Sequence, residues 1–166
     1  MKPHKLNSGV VKALSNLLKD EYYANRVYRY ISNCLRNSGF KYAADYYANE
    51  AADEIQHAIG LEKFATDWNT ELAFLPQEGV DLKEEGLVEF IDFSYNLEYA
   101  LLEKYKKEYT SAFEDGDLEV AFFLQKYVDI QCNAVAEIAD QLNMLELFDK
   151  EDKNWVFQFE KKVFKK

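Results

Sequence analysis

The chain has 166 residues, 48% of them hydrophobic, and carries a formal net charge of −10. A chain of this size can bury the core of one compact domain, and we expect a single domain over residues 1–166. The acidic charge argues against non-specific binding to nucleic acid or to anionic membranes. No stretch is apolar and long enough to predict a transmembrane helix, and the N-terminal residues lack a signal-peptide pattern. Because the two cysteines are expected to be free thiols, we expect a cytoplasmic protein.

Two long segments with helical periodicity come first. The first runs from about Asn7 to Arg36, with Asn7 or Ser8 as its N-cap and Gly39 in the turn that ends it. The second runs from about Phe40 to Asn69. In both segments core-type residues recur at spacings of three and four, which predicts helices with one buried face. Because the turn between them is short, we expect an antiparallel hairpin.

The residues that follow, about 70–85, lose this periodicity and contain Pro76 and Gly79. About sixteen residues span roughly 50 Å when extended. A thirty-residue helix is only about 45 Å long. The segment is therefore long enough to cross the whole bundle, which leaves the next helix parallel to the previous one.

A second hairpin is predicted from two further periodic segments, about Gly86 to Phe113 and about Leu118 to Leu145. The tight turn 114–117 joins them, and Asp117 is expected to cap the fourth helix. Residues 149–166 are polar at first and then aromatic, and they are predicted to form either a short fifth helix or a docked extension. The predicted fold class is therefore all-α: a four-helix bundle over residues 7–145 with a long crossover between helices 2 and 3.

One polar residue interrupts the hydrophobic face of each long segment: Glu21, Glu54, Glu98 and Gln131. Glu21 and Glu54 are 33 positions apart, as are Glu98 and Gln131, and the midpoint of each pair falls in a hairpin turn. Residues equidistant from such a turn lie side by side, so all four are predicted to meet at one level, about 25 Å from the turns. His57 shares a helix face with Glu54 and joins them.

The two hairpins also share a local pattern. Glu21 is followed seven residues later by Tyr28, and Glu98 is followed seven residues later by Tyr105. The first helix of each predicted hairpin thus has a glutamate and an aromatic residue two turns apart on one face. We interpret this as an internal pseudo-repeat.

Three carboxylates buried at one level would repel each other or take up protons. One or two divalent cations would remove that cost. Carboxylates with one imidazole suit iron or manganese, with zinc as a competitor. Glutamates from two helices together with a Glu-x-x-His motif form the general pattern of di-iron bundle proteins.

On these residues the chain resembles a ferritin of the non-haem bacterial type. The resemblance spans about Leu6 to Leu145 and is carried by Glu21 with Tyr28, by Glu54-x-x-His57, by Glu98, and by Gln131 at the end of the run 123–131. It implies a ferritin-like bundle that assembles into a hollow shell of 24 identical subunits. It also implies a ferroxidase centre that oxidises Fe(II) with dioxygen or peroxide, and ferric mineral collected inside the shell for iron storage and detoxification.

The resemblance further implies roles for the residues of a centre with two irons per subunit. Glu21 and His57 would ligate the first iron, and Glu54 would bridge both irons. Glu98 would ligate the second iron. Tyr28 would hydrogen-bond a ligand and supply an electron.

The chain departs from related di-iron proteins on the fourth helix. Bacterioferritins and most di-iron oxidases repeat Glu-x-x-His there, whereas this chain has Gln131 and Ala134. Gln131 would be a weak or indirect partner, so the second iron is expected to bind weakly and leave readily. We predict no haem, because the only methionines are Met1 and Met144 and Ile55 occupies the place of the haem ligand of bacterioferritins.

Glu50 and Asp53 are outer metal-site candidates, for a third iron or for relaying iron to or from the centre. A complete third site is not expected, because Ile130, Asn133 and Ala134 cannot donate a carboxylate. Four acidic residues lie near the turn before the fourth helix: Glu114, Asp115, Asp117 and Glu119. We expect them either to line a pore at a symmetry axis of the shell or to form an ordinary solvated turn.

Three other functions compete with iron storage as explanations of these residues. A rubrerythrin-like di-metal oxidase or peroxide scavenger is disfavoured by the missing second Glu-x-x-His and by the absence of a Cys-x-x-Cys module. A DNA-protecting mini-shell is disfavoured by the ligand set within one chain and by the lack of a basic N-terminal tail. A purely structural bundle would need no metal at all.

Overall fold

The computed structural model describes residues 4–83 and 85–165, and the elements found there are helices. Four are long and one is short: α1 Ser8–Asn37, α2 Lys41–Asp67, α3 Leu87–Glu114, α4 Leu118–Leu145 and α5 Trp155–Phe164. Within these residues no helix is long and apolar enough to cross a membrane. The predicted all-α fold class is confirmed, and each long helix begins and ends within two residues of its predicted limits. The predicted domain limits, 1–166, include residues 1–3, 84 and 166, which lie outside the described residues.

The first hairpin follows the sequence signals closely. The Asn7 side chain accepts a hydrogen bond from the Val10 N–H at 2.9 Å and so caps α1. At the other end Gly39 adopts a φ of +87°, a conformation that side chains with a Cβ rarely adopt. The chain then reverses and α2 packs along α1.

The connection between α2 and α3 runs the length of the bundle beside α1. Its backbone N–H at Ala73 binds the Ser15 hydroxyl at 2.9 Å. Further along, the Glu78 carbonyl accepts a hydrogen bond from Arg26 at 2.6 Å. Val80 and Leu82 pack on the core near the far end of α1. The predicted long crossover is therefore confirmed.

The second hairpin begins as predicted, with one difference at the α4 cap. Asp117 occupies the N-cap position, but its side chain makes no cap hydrogen bond. Instead its Oδ2 accepts a hydrogen bond from Asn7 Nδ2 at 2.8 Å. The expected capping role is wrong because the start of α1 lies beside this turn and offers the carboxylate another donor.

The hydrophobic core consists of two clusters separated by a polar layer. One cluster includes Ile31, Tyr47 and Ile91 and extends to α5. The other includes Leu14 and Leu61 and lies toward the start of α1. Between them each long helix contributes one of the predicted polar residues, all of them buried: Glu21, Glu54, Glu98 and Gln131.

The C-terminal residues form a helix, which decides between the two predicted alternatives. Phe159 is fully buried against the bundle, and Phe157 stacks on Phe40 with ring centroids 4.8 Å apart. The buried Glu160 accepts hydrogen bonds from the backbone N–H groups of Tyr42 and Ala43 at 2.6 and 3.1 Å. These two amides lie in the first turn of α2, which has no side-chain cap of its own. Glu160 therefore caps α2 from a distant part of the chain.

Candidate metal centre

The polar layer brings together a carboxylate from each of three helices and an amide from the fourth. None of the four residues is more than 3% exposed. This level is the one that equidistance from the hairpin turns predicts. The sequence pattern therefore locates the layer correctly along every helix.

Glu21, Glu54 and His57 form the tightest cluster in the layer. His57 Nδ1 lies 3.1 Å from Glu54 Oε2 and 3.6 Å from Glu21 Oε2. One potential ligand atom from each of the three residues lies within 4.8 Å of the other two. Two carboxylates and an imidazole at this spacing form a donor set that fits one divalent cation.

Glu98 and Gln131 form the other half of the layer. Glu98 accepts a hydrogen bond from the Tyr28 hydroxyl through one oxygen, while its Oε2 is buried without a hydrogen-bond partner. Glu21 Oε2 and Gln131 Oε1 are likewise buried without a partner at hydrogen-bond distance. Unsatisfied buried acceptors are rare in folded proteins because each costs about 1–3 kcal/mol. A cation in the layer would satisfy these oxygens, so the residues present fit a bound metal.

Two tyrosines donate hydrogen bonds to carboxylates of the layer, each from one helix of the α1–α3 pair to the other. Tyr28 on α1 donates to Glu98 on α3, and Tyr105 on α3 donates to Glu21 on α1. Tyr28 was predicted to bind a ligand residue, but Tyr105 was not among the predicted site residues. Its signal was present in the sequence, because Tyr105 follows Glu98 at the same spacing as Tyr28 follows Glu21.

Burial and mutual charge shift the acid–base behaviour of the layer. Burial raises the pKa of Glu54 well above its ordinary value, and the neighbouring Glu21 raises it further. Burial also raises the pKa of Glu98, to about 7, although the Tyr28 hydrogen bond opposes the shift. For His57 burial acts to lower the pKa, but the two adjacent carboxylates raise it to about 10. Without a cation the layer therefore retains protons that a bound metal would displace.

A pocket of about 470 Å³ opens between α2 and α4 and reaches His57. Tyr127 lines it, and its hydroxyl donates to the His57 carbonyl at 2.7 Å. Tyr127 was not among the predicted site residues. The available signal was its position one helical turn before Gln131, on the same face of α4.

The outer candidates do not join the buried cluster. Asp53 is exposed and Glu50 is half-buried. Neither residue belongs to the group of three potential metal ligands found among the described residues. Among the described residues, the acidic turn at 114–119 likewise forms no group of three potential ligands.

Comparison with known proteins gives consistent matches over most of the chain. A sequence profile of the ferritin-like domain matches residues 11–148. A probable bacterial non-haem ferritin-like protein of Haemophilus influenzae is 27% identical over 143 residues, which cover 84% of this chain and 87% of that protein.

Solved structures give matches to the whole fold. The open-pore ferritin of the hyperthermophilic archaeon Archaeoglobus fulgidus aligns with a TM-score of 0.90 at 19% identity, covering 98% of this chain and 99% of that one. A form of the same ferritin engineered to be closed gives a TM-score of 0.89 at 18% identity, covering 98% of both chains. The bundle, its crossover and its short C-terminal helix are therefore shared with these structures.

Proposed function

The chain belongs to the ferritin family, and from this premise we propose that it is a ferroxidase that stores and detoxifies iron. In this proposal two Fe(II) ions and one dioxygen, with two protons, give two Fe(III) ions and hydrogen peroxide. The ferric product then collects as mineral inside a shell of subunits. Peroxide serves as an alternative oxidant.

The observation that carries this proposal is the buried cluster of Glu21, Glu54 and His57 next to the unpartnered Oε2 of Glu98. A helical bundle of purely structural function gains nothing from three carboxylates in its core, because buried charges without partners destabilise it. A site that binds a cationic substrate has a use for them. His57, which belongs to the cluster, also lines a pocket that is open to the surface.

We assign a role to each residue from its place in the layer. Glu21 and His57 would hold the first iron, and the Glu54 carboxylate would be shared between the two irons. Glu98 holds the second iron. Tyr28 positions Glu98 through its hydrogen bond.

The two halves of the centre are unequal. The first offers two carboxylates and an imidazole, whereas the second offers Glu98, a share of Glu54 and the neutral Gln131 amide. The next position one turn along α4 is Ala134, which has no ligand atom. The second iron is therefore held weakly and leaves after oxidation, which suits turnover into a store better than a permanent cofactor.

The remaining parts of the proposal concern the whole assembly. We propose a cytoplasmic homo-oligomer, most simply a shell of 24 subunits, without haem, nucleic acid or membrane partners. We further propose one domain over residues 1–166. Glu50 and Asp53 are proposed to meet iron only on its way to or from the centre.

The test is aerobic oxidation of Fe(II) by the purified protein, followed by the rise of ferric absorbance. Glu54→Gln removes the bridging charge and is expected to lower the initial rate to that of the buffer. Glu103→Gln is the matched control, because Glu103 is an exposed carboxylate on α3 that pairs with Lys106 at 2.8 Å. Equal rates in the two variants, or light scattering that finds only the 19.4 kDa monomer, would contradict the proposal.

A further inference from the structure

Tyr105 and Tyr127 form a stacked pair beside the metal layer. Their ring centroids are 5.0 Å apart and their planes differ by 16°. Tyr105 lies on α3 and is fully buried, whereas Tyr127 lies on α4 and is 5% exposed. Neither side chain belongs to the donor set assigned to iron.

The pair connects the layer with the pocket between α2 and α4. At the inner end the Tyr105 hydroxyl donates to Glu21, a carboxylate of the stronger half of the centre. At the outer end Tyr127 lines the pocket and lies beside His57, with ring centroids 6.1 Å apart. Gly60 on α2 leaves room for this arrangement, because a Cβ there would collide with the Tyr127 hydroxyl.

The other tyrosine at the layer leads to a different place. Tyr28 contacts Tyr47 at 5.7 Å with planes 47° apart. Tyr47 is only 1% exposed, and its hydroxyl accepts a hydrogen bond from the Ser94 hydroxyl within the core. Tyr47 in turn contacts Tyr46, with ring centroids 5.3 Å apart, and Tyr46 lines another pocket. The Tyr28 branch therefore reaches a pocket only through two further rings, whereas Tyr105 reaches one through Tyr127 alone.

We propose that Tyr105 and Tyr127 donate one electron to the centre when a single Fe(II) there reacts with hydrogen peroxide. This inference rests on the proposed ferroxidase function. The weak second half of the centre makes single occupancy common, because Gln131 supplies no charge. A lone Fe(II) gives peroxide only one electron, and one-electron reduction releases a hydroxyl radical. A second electron from the protein completes the reduction to water.

The reaction balances with one phenol as the second donor. Fe(II), hydrogen peroxide, one tyrosine and one proton give Fe(III), one tyrosyl radical and two molecules of water. Tyr105 gives up the electron first, and its proton passes to Glu21 along the existing hydrogen bond. Tyr127 then reduces Tyr105, which recovers its proton from Glu21. The Tyr127 hydroxyl gives up its hydrogen bond to the His57 carbonyl and loses its proton to solvent in the pocket. A further Fe(II) with one proton restores Tyr127 and leaves Fe(III).

The experiment mixes the full-length protein anaerobically with one Fe(II) per chain and then with one equivalent of hydrogen peroxide. Rapidly frozen samples are examined by electron paramagnetic resonance for a tyrosyl radical, and Fe(III) is measured in the same samples. We expect a radical in the wild type. We expect its loss in Tyr105→Phe and an altered, shorter-lived signal in Tyr127→Phe, since the radical then stays on Tyr105.

Two further variants make the result specific. Tyr99→Phe is the control: it changes a stacked pair of tyrosines outside the layer, Tyr95 and Tyr99, and is expected to leave the radical unchanged. Tyr28→Phe tests the competing branch through Tyr47 and Tyr46. An unchanged radical in both Tyr105→Phe and Tyr127→Phe, or a radical lost only in Tyr28→Phe, would overturn the inference while Fe(III) still forms. Absence of Fe(III) in the wild type would instead refute the ferroxidase function, and the inference with it.

Discussion

Tyr28 and Tyr105 bind each other's neighbouring carboxylates: the α1 tyrosine donates to Glu98 on α3, and the α3 tyrosine donates to Glu21 on α1. The exchange relates the two hairpins by an approximate twofold symmetry. It also holds one oxygen of each carboxylate in a hydrogen bond. The fold therefore positions both carboxylates in advance, which would lower the entropy lost if they converge on a metal.

The metal-free protein is predicted to lose stability as the pH rises. Folding raises the pKa of Glu98 from 4.5 to about 7 and the pKa of His57 from 6.5 to about 10. Between those limits the folded chain binds more protons than the unfolded chain, so the free energy of unfolding falls with increasing pH. Urea unfolding in the presence of a chelator, at pH 5 to about 9, measures the slope.

Two variants separate the contributions to that slope. Glu98→Gln is expected to abolish the fall in the free energy of unfolding between pH 4.5 and about 7. His57→Asn is expected to abolish the fall between pH 6.5 and about 10. A free energy of unfolding that rises over this range would show that the layer does not retain protons. Addition of a redox-inert divalent ion such as Zn²⁺ is expected to reverse the trend, since a bound cation favours the ionised carboxylates.

Strengthening the second half of the centre is predicted to slow turnover. The double substitution Gln131→Glu with Ala134→His restores a second Glu-x-x-His on α4. Both positions lie on the α4 face toward the layer, where Gln131 is buried and Ala134 half-buried. The variant is expected to bind its second Fe(II) more tightly and to release Fe(III) more slowly, so repeated additions of iron are oxidised progressively more slowly than in the wild type.

The matched control for that variant is Asn133→Glu with Cys132→Ala, which adds a charge at exposed positions next to the layer. It is expected to oxidise successive additions as the wild type does. If the Gln131→Glu and Ala134→His variant instead turned over faster on every addition, weak binding at the second site would not be the reason for turnover. Anaerobic Fe(II) titration followed by calorimetry measures the affinity directly.

Substitution of Glu160, the α5 residue that caps α2, is predicted to destabilise both helices. Glu160→Gln keeps one acceptor oxygen but loses the charge that favours two backbone donors at a helix N-terminus. We expect the free energy of unfolding to fall by about 1–2 kcal/mol, as for the loss of other N-cap residues. Glu151→Gln, at an exposed position before α5, is the control and is expected to change it little. Equal stability of the two variants would contradict the capping role.

The sequence predicts the architecture and the level of the centre because both depend on regular spacing. Hydrophobic residues that recur at spacings of three and four define the buried face of each helix. Equal distances from the turns place Glu21 beside Glu54 and Glu98 beside Gln131. The length of the segment 70–85 then decides how the two hairpins are joined. These properties follow from helix geometry alone.

The missed contacts depend on how helices rotate and approach one another, which spacing does not specify. Tyr105 meets a residue 84 positions away, and Glu160 caps amides that are 117 and 118 positions away. The Asp117 side chain does not cap α4 but accepts a hydrogen bond from Asn7, 110 positions away. For Tyr105 the repeated spacing after glutamate was a usable signal. For Glu160 and the partner of Asp117 the sequence offered none.

The most direct test of a di-iron centre is anomalous diffraction at the iron edge from crystals soaked anaerobically with Fe(II). We expect a strong peak between Glu21, Glu54 and His57, and a weaker one between Glu54 and Glu98 beside Gln131. Iron found only on the outer surface or at the acidic turn 114–119, with none in the buried layer, would contradict this expectation.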